Sequence, residues 1–404
     1  MSERNITFTQ EQPHRNGRLL PKISFYLLVS VLVSYLTSSS APTPLYALYA
    51  VKWGFSPITE TVIFGVYAVA VLFSLLTVGS LSDYVGRRPV LIGALAIQAV
   101  AMLVFATAGG IDALIIARVL QGLATGAAVS ALGAALLDFD KVKGTIANAV
   151  GSPIGMGLGS IMSGVMVQFL PAPTHLIYFI LLVVFIVQGL GVLLIPESAD
   201  PKAGALSSLV PHFGIPATTR KPLVAAVPAL VATWALMAFY GSIGPTVVKL
   251  ITHSNSYFFA GLPLFAIAGS ASITILIVRS FPSKVAMLLG MVALIVGVGC
   301  TLLATVNTSI LMFFIGTVVA GVGFGGGFQG AFRIVLPLAK LHERAGLLST
   351  LYVICYIALG VPAVIAGIFV EKFGILNMTR EYGLVVMIFG ALSALGLGFV
   401  KKSE

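Results

Sequence analysis

The sequence predicts an all-α membrane protein in which twelve transmembrane helices form two six-helix bundles. Of the 404 residues, 58% are hydrophobic and only 9% are charged, whereas a soluble domain carries about 25% charged residues. The apolar runs are long enough for helices, which need about 20 residues to cross a bilayer, whereas barrel strands alternate over about ten. One long polar break, at 196–221, divides these runs into two equal sets.

Twelve apolar runs satisfy this length requirement, and we number the predicted spans 1 to 12. They cover residues 23–46, 59–80, 89–108, 113–137, 145–169, 174–195, 222–247, 257–278, 284–306, 309–338, 345–370 and 381–400. The predicted organisation is a tail at 1–22, a first bundle at 23–195, a linker at 196–221, a second bundle at 222–400 and a tail at 401–404. The first tail lacks the apolar core of a signal peptide.

Lysine and arginine are distributed unequally between the two sides of the predicted bundle. If the first residue lies inside, only Lys52, Lys249, Lys372 and Arg380 face outward among the cations near the spans. The positive-inside rule therefore predicts that both termini are cytoplasmic, and we expect a multi-pass protein of the inner membrane. The net charge of +10 reflects this orientation, and we expect no nucleic-acid partner.

Three spans carry unusual polar or flexible segments. Span 1 ends in TSSSAPTP, where Pro42 and Pro44 free backbone carbonyls, and freed backbone at membrane depth is tolerated mainly where it lines a cavity. Arg118 lies about five residues inside span 4, roughly 8 Å deep, where a guanidinium is costly without a partner. It either lines a cavity or is structural, pairing with Asp112. Span 5 contains glycines at helical spacing around Pro153, typical of close helix packing.

A short charged turn separates spans 2 and 3 and reads GSLSDYVGRRPVL. Glycine permits tight turns, an aspartate can face a helix N-terminus, and arginines can pair with carboxylates or lipid phosphates. The turn either anchors orientation or acts as a gate. The candidate gating residues are Gly79, Asp83, Gly86, Arg87 and Arg88, with Asp138 and Pro153 elsewhere in the first bundle.

These segments resemble motifs of the major facilitator superfamily of transporters. The turn matches the G-x-L-x-D-x-x-G-R-[RK] signature, Arg118–Gly122 resembles the R-x-x-Q-G motif, and span 5 resembles the antiporter motif with Ser152 in place of its usual glycine. The resemblance implies alternating access between two pseudo-symmetric bundles. It also implies that a loop arginine pairs with an acid, here Asp138, and that Asp83 contacts the start of span 11 in the outward-facing state. The loop between spans 8 and 9, RSFPSK, keeps only the cations.

The distribution of charge inside the membrane predicts the substrate class. No acidic residue lies in the middle of a predicted span, whereas Arg118 and Arg333 lie on spans 4 and 10, which the resemblance places beside the cavity. Such a cavity favours anionic, zwitterionic or neutral solutes. Candidate substrate contacts are Tyr35, Arg118, Gln121, Asn148, Trp234, Tyr240, Gln329, Arg333, Tyr352 and Tyr356. Candidate proton-titrating groups are Glu60 and Asp112.

We therefore predict a monomeric secondary transporter that exports a small organic solute, such as an antibiotic or a metabolite, in exchange for protons. The main alternative is an uptake symporter or facilitator for an organic anion or a sugar-like nutrient, and another is a receptor or scaffold that no longer transports. An enzyme would need a catalytic cluster at one depth, and the sequence offers none, so we expect neither catalysis nor a cofactor or metal.

Overall fold

The computed structural model describes residues 17–252, 256–340 and 343–399. In these ranges the chain has twelve helical segments that are long and apolar enough to cross a membrane, and the all-α fold is confirmed. Residues 1–16 of the predicted first tail and the predicted tail at 401–404 lie outside the described residues.

The first bundle contains the α-helices that precede the linker. They are α1 (Pro21–Ser40), α2 (Tyr46–Trp53), α3 (Pro57–Val78), α4 (Ser82–Val85), α5 (Arg87–Ala106), α6 (Ile111–Phe139), α7 (Lys141–Phe169) and α8 (Pro173–Val192). The second bundle contains α9 (Arg220–Ser242), α10 (Gly244–Thr252), α11 (Tyr257–Val278), α12 (Ser283–Asn307), α13 (Ile310–Val335), α14 (Arg344–Phe373) and α15 (Ile375–Gly396). Each bundle has its own hydrophobic core.

Span 1 is not the single helix predicted at 23–46. Helix α1 ends at Ser40, a 3₁₀ turn follows at Thr43–Leu45, and α2 then continues the span. The break has a covalent cause, because Pro42 has no N–H to donate to the carbonyl of Ser38. The Ser38 carbonyl is thus left for another donor.

Two other predicted boundaries were wrong. Span 7, expected as one helix over 222–247, divides into α9 and α10 on either side of Ile243. Span 12 begins at Ile375 rather than at 381, directly after Gly374, whose φ of 78° ends α14. Polar residues in the first turns of α15 concealed this early start in the sequence.

The two ends of the helical bundle differ in their contacts. We call the end with α4 and the linker the linker side, and the end with α2 and α10 the far side. On the far side α7 binds α11, where the Ser160 hydroxyl donates to the Gly261 carbonyl at 2.9 Å and the Tyr257 N–H donates to Gln168 at 3.1 Å. A Cβ at Gly367 in α14 would lie only 2.1 Å from the side chain of Thr61 in α3. The bundles therefore close against each other on the far side.

Candidate functional site

Arg118 is completely buried in α6 and bound by groups from three helices. Its Nε donates to the Tyr46 hydroxyl at 2.8 Å, and Nη2 contacts the same oxygen. Its Nη1 donates to the Ser39 carbonyl at 2.8 Å and to Gln121 Oε1 at 2.7 Å. The guanidinium therefore joins α6 to both helices of the broken first span.

The break in span 1 supplies the acceptors for this site. Gln121 Nε2 donates at 2.9 Å to the carbonyl of Ser38, which is the carbonyl that Pro42 leaves free. Gln98 Nε2 donates to the Ser38 hydroxyl at 2.8 Å. Carbonyls at a helix C-terminus carry partial negative charge, so the end of α1 helps to stabilise the buried cation.

Aromatic rings surround the rest of the guanidinium. Its Cζ lies 5.2 Å from the ring centre of Tyr67, 5.5 Å from that of Tyr46 and 5.9 Å from that of Phe105, within the range of cation–π attraction. None of the ion pairs in the described ranges involves Arg118. Asp112, its proposed partner, is exposed at the start of α6. The arginine cluster, by which we mean Ser38, Ser39, Tyr46, Tyr67, Arg118 and Gln121, therefore keeps a net positive charge.

A group of half-buried aromatic residues, here called the aromatic cluster, lies in the second bundle. It consists of Trp234 in α9, Phe328 and Phe332 in α13, and Tyr352 and Tyr356 in α14. The ring of Trp234 lies 5.0 Å from that of Tyr356 and 6.1 Å from that of Phe328, and Phe332 joins Phe328 to Tyr352 at 4.8 and 6.0 Å. The buried Nε1 of Trp234 has no hydrogen-bond partner. A buried donor without an acceptor costs free energy, so it marks a place where a ligand acceptor would be stabilising.

The two clusters approach each other where α3 meets α14. The Tyr67 and Tyr356 phenols are close enough to interact electrostatically. One residue further along α3, the Ala68 side chain lies 3.5 Å from where a Cβ would stand on Gly360. The arginine cluster and the aromatic cluster are thus neighbours at the contact between α3 and α14.

Other candidate contacts lie away from this region. Tyr35 is buried within the first bundle against Phe185, with ring centres 5.3 Å apart. Asn148 donates from α7 to the Gly133 carbonyl of α6 at 2.9 Å. Tyr240 is buried in the second bundle, where its hydroxyl bonds the hydroxyls of two threonines in α12 and α13 at 3.1 Å each.

The two membrane-embedded arginines do not share a site. Arg333 lies on the linker side, where Nη1 donates to the Val278 carbonyl at 3.0 Å and Nη2 to the Phe281 carbonyl at 2.7 Å. It therefore caps the C-terminus of α11. Gln329, one turn earlier on α13, is half-buried.

The linker-side turn forms a connected polar network. Arg87 Nε lies 3.3 Å from Asp138, and its Nη1 contacts Asp83. The Arg87–Asp138 contact that the family resemblance implied is therefore present. Gly86, at φ 102°, directs the chain into α5, whose first N–H groups, those of Arg87 and Arg88, donate to the Glu197 carboxylate at 2.8 and 3.0 Å.

The other gating candidates have simpler positions. Gly79 follows the last residue of α3, and Pro153 is buried inside α7, which remains one continuous helix. Sequence reasoning missed Glu197, although its signal was available, because an acid directly after span 6 lies on the same side as the turn between spans 2 and 3.

A cavity of about 220 Å³ lies on the far side, between the ends of spans from both bundles. Its lining includes Glu60 from the first turn of α3 and Lys249 from the last turn of α10. No ion pair joins these two described residues. Of the two titrating candidates, Glu60 therefore faces a cavity between the bundles.

Comparison with known proteins gives the family. The sequence pattern of the Major Facilitator Superfamily matches residues 27–346. The chain belongs to the major facilitator superfamily. No curated protein matches it by sequence.

Solved structures of transporters share the fold of this superfamily member. The nucleoside transporter NupG, in a point-mutant form, is 14% identical with a TM-score of 0.71, and the match covers 94% of this chain and 99% of NupG. A bacterial homologue of the human lysosomal transporter Spinster matches in an inward-facing occupied form (11% identity, TM-score 0.76, 95% and 99% coverage). Its inward-facing unoccupied form also matches, at 12% identity and with a TM-score of 0.77, and the match covers 96% of this chain and 98% of that chain. At these identities the similarity establishes the fold alone.

Proposed function

We propose that this transporter moves a small organic solute with an anionic or polar group and an aromatic or flat apolar part. The observation that carries the proposal is the burial of Arg118 without a carboxylate partner. The protein stabilises this cation with helix-end carbonyls, a phenol and aromatic faces, none of which cancels its charge. Glu60 interacts electrostatically with Tyr46 but forms no ion pair with Arg118, so we expect the arginine cluster to keep a positive potential, which attracts anions.

The remaining contacts define how such a solute would bind. The Tyr46 hydroxyl accepts two of the hydrogen bonds that the guanidinium of Arg118 donates. We expect the anionic group of the solute to replace this hydroxyl as the acceptor of those two bonds. Its apolar part would lie on the aromatic cluster, and an acceptor atom would satisfy Trp234 Nε1. A lipophilic cation would gain nothing from Arg118.

We infer that the linker side is cytoplasmic, because lysine and arginine are concentrated there. The bundles then close against each other on the outer side. Alternating access would require the far-side contacts between α7 and α11 to break while the two bundles approach each other on the linker side.

Export in exchange for protons is our preferred direction. Helix α7, whose sequence resembles the antiporter motif, packs on α1 through Gly159 and on α11 through Ser160, so it contacts both bundles. Glu60 is the proposed proton-binding group, because its carboxylate lines the far-side cavity. Uptake of an organic anion remains the alternative, and flux in inside-out against right-side-out vesicles separates the two directions.

The test is flux of organic acids and matched organic cations into proteoliposomes. Loss of a charged hydrogen bond costs about 1.5–3 kcal/mol, so Arg118→Gln should weaken apparent affinity for a transported anion about 10- to 100-fold. Arg118→Lys, which keeps the charge, should retain part of the flux, and Arg333→Gln serves as the matched control. Unchanged anion flux in Arg118→Gln, or cation flux that exceeds anion flux, would contradict the proposal.

A further inference from the structure

The far-side cavity and the arginine cluster meet along two helices of the first bundle. On α2, Tyr46 binds Arg118, and Ala50, one turn further on the same face, lines the cavity. On α3, Glu60 lines the cavity, and Tyr67 of the arginine cluster lies seven residues further along, again on the same face. These two positions are about 10 Å apart along the helix. The cavity therefore adjoins the proposed substrate site on its far side.

Glu60 supplies the negative charge of this cavity and is half-buried in the first turn of α3. None of the ion pairs within residues 17–252, 256–340 and 343–399 involves it, although a carboxylate partly removed from water needs a partner. Lys249 lines the cavity from the second bundle, but its side chain is exposed and water can solvate its ammonium group. Phe55 and Phe259 also line the cavity, and aromatic rings attract organic ammonium groups. Glu60 is therefore suited to bind an ammonium group that a solute carries.

Glu60 and Arg118 place opposite charges around one phenol. Glu60 interacts electrostatically with Tyr46, whose hydroxyl accepts two hydrogen bonds from Arg118. The ring centre of Tyr67, on the helix that carries Glu60, lies 5.2 Å from Cζ of Arg118. A negative and a positive group thus lie within the length of one small organic solute.

We propose that the transported solute is a zwitterion, with an anionic group that binds Arg118 and an ammonium group that binds Glu60 in the far-side cavity. This inference rests on the proposed function, because it adds a second charged contact to the same site. A simple anion would leave Glu60 without a partner, and a simple cation would gain nothing from Arg118. A zwitterion pairs with both and adds no net charge to a site within the membrane. The ammonium group and the proton proposed for exchange would be alternative occupants of the Glu60 carboxylate.

The experiment measures the binding of matched aromatic solutes to the purified full-length transporter by isothermal titration calorimetry. The probes are phenyl-substituted amino acids in which one to five carbons separate the ammonium from the carboxylate, each compared with its deaminated acid. The best amino acid should bind about 10- to 100-fold more tightly than its deaminated acid, because it gains a charged hydrogen bond to Glu60. Glu60→Gln should remove this preference by weakening amino-acid binding by the same factor. Retained binding of the deaminated acid shows that the variant is folded.

Two further variants make the outcome specific. Glu60→Asp keeps the charge and should retain part of the preference. Glu371→Gln removes an acid from the far side at an exposed position near the end of α14 that does not line the cavity, and it should retain the full preference.

The outcomes separate this inference from the proposed function. Equal binding of amino acids and their deaminated acids, or a preference that survives Glu60→Gln, would overturn the zwitterion proposal and leave the anion site at Arg118 standing. Anion binding that Arg118→Gln leaves unchanged would instead contradict the proposed function. Absence of binding by every member of the series would contradict both.

Discussion

The far-side closure depends on a few hydrogen bonds, and removing them should open this side of the transporter. Ser160 donates to Gly261, and Gln168 accepts from Tyr257 and Ser256. The buried bond is worth about 1 kcal/mol and the two exposed bonds about 0.5 kcal/mol each. Ser160→Ala with Gln168→Ala should therefore shift the equilibrium by about 2 kcal/mol, or about thirtyfold. A far-side-open state populated at about 1% would rise to about 20%.

The assay is double electron–electron resonance between spin labels on the far side, after both native cysteines are replaced. Val51 in the first bundle and Leu376 in the second are exposed positions for the labels. Ser163→Ala is the matched control, because this buried hydroxyl lies one turn further along α7 and has no hydrogen-bond partner. A distance distribution that stays unchanged in the double variant, or shifts equally in the control, would refute the assignment of the closing contacts.

Three further predictions follow from the packing and capping of the first bundle. Gly159→Ala would place a Cβ 2.0 Å from a carbonyl oxygen of α1 and should destabilise the protein by about 1–3 kcal/mol, whereas Gly157→Ala meets only an ordinary 3.4 Å contact and should be nearly neutral in thermal melts. Pro42→Ala restores an N–H that competes for the Ser38 carbonyl, so anion flux should fall while the melting temperature is maintained; unchanged flux would argue against a role for the helix break. The backbone N–H of Lys143 is the main group that holds the pKa of Asp140 below its usual range. The ionised Asp140 carboxylate therefore stabilises the folded state above about pH 4, and this stabilisation is lost as the pH falls through the lower native pKa. Asp140→Asn should abolish this acid dependence in melts between pH 7 and 3, and an unaltered pH profile would contradict it.

Hydropathy predicted the spans because the bilayer requires every helix to be long and apolar. The same rule gave poor boundaries where a proline interrupts a span, as at Pro42, or where polar residues begin one, as in α15. The sequence also indicated freed carbonyls in span 1 and a buried Arg118 in span 4. It could not show that they bind each other, because Ser39 and Arg118 are 79 residues apart and neither position carries a local pattern that indicates the other.

Aromatic residues were harder to assign than charges. Phe328 and Tyr67 were missed because phenylalanine and tyrosine occur in lipid-facing, core and cavity positions alike, and hydropathy does not distinguish these environments. Tyr240 resembled Trp234 in sequence, yet threonines from α12 and α13 occupy its hydroxyl. Arg333 illustrates the same problem for a charge, since its carbonyl partners at the end of α11 become visible only in three dimensions.

The most direct test of the proposed binding site uses Trp234 as its own reporter. The chain has two tryptophans, so Trp53→Phe leaves only Trp234 to fluoresce, beside the aromatic cluster. Titration with aromatic carboxylates should change this fluorescence saturably, the response should be lost in Arg118→Gln and kept in Arg333→Gln, and matched aromatic cations should give no saturable response. A saturable response to cations alone, or anion binding that Arg118→Gln leaves intact, would contradict the account.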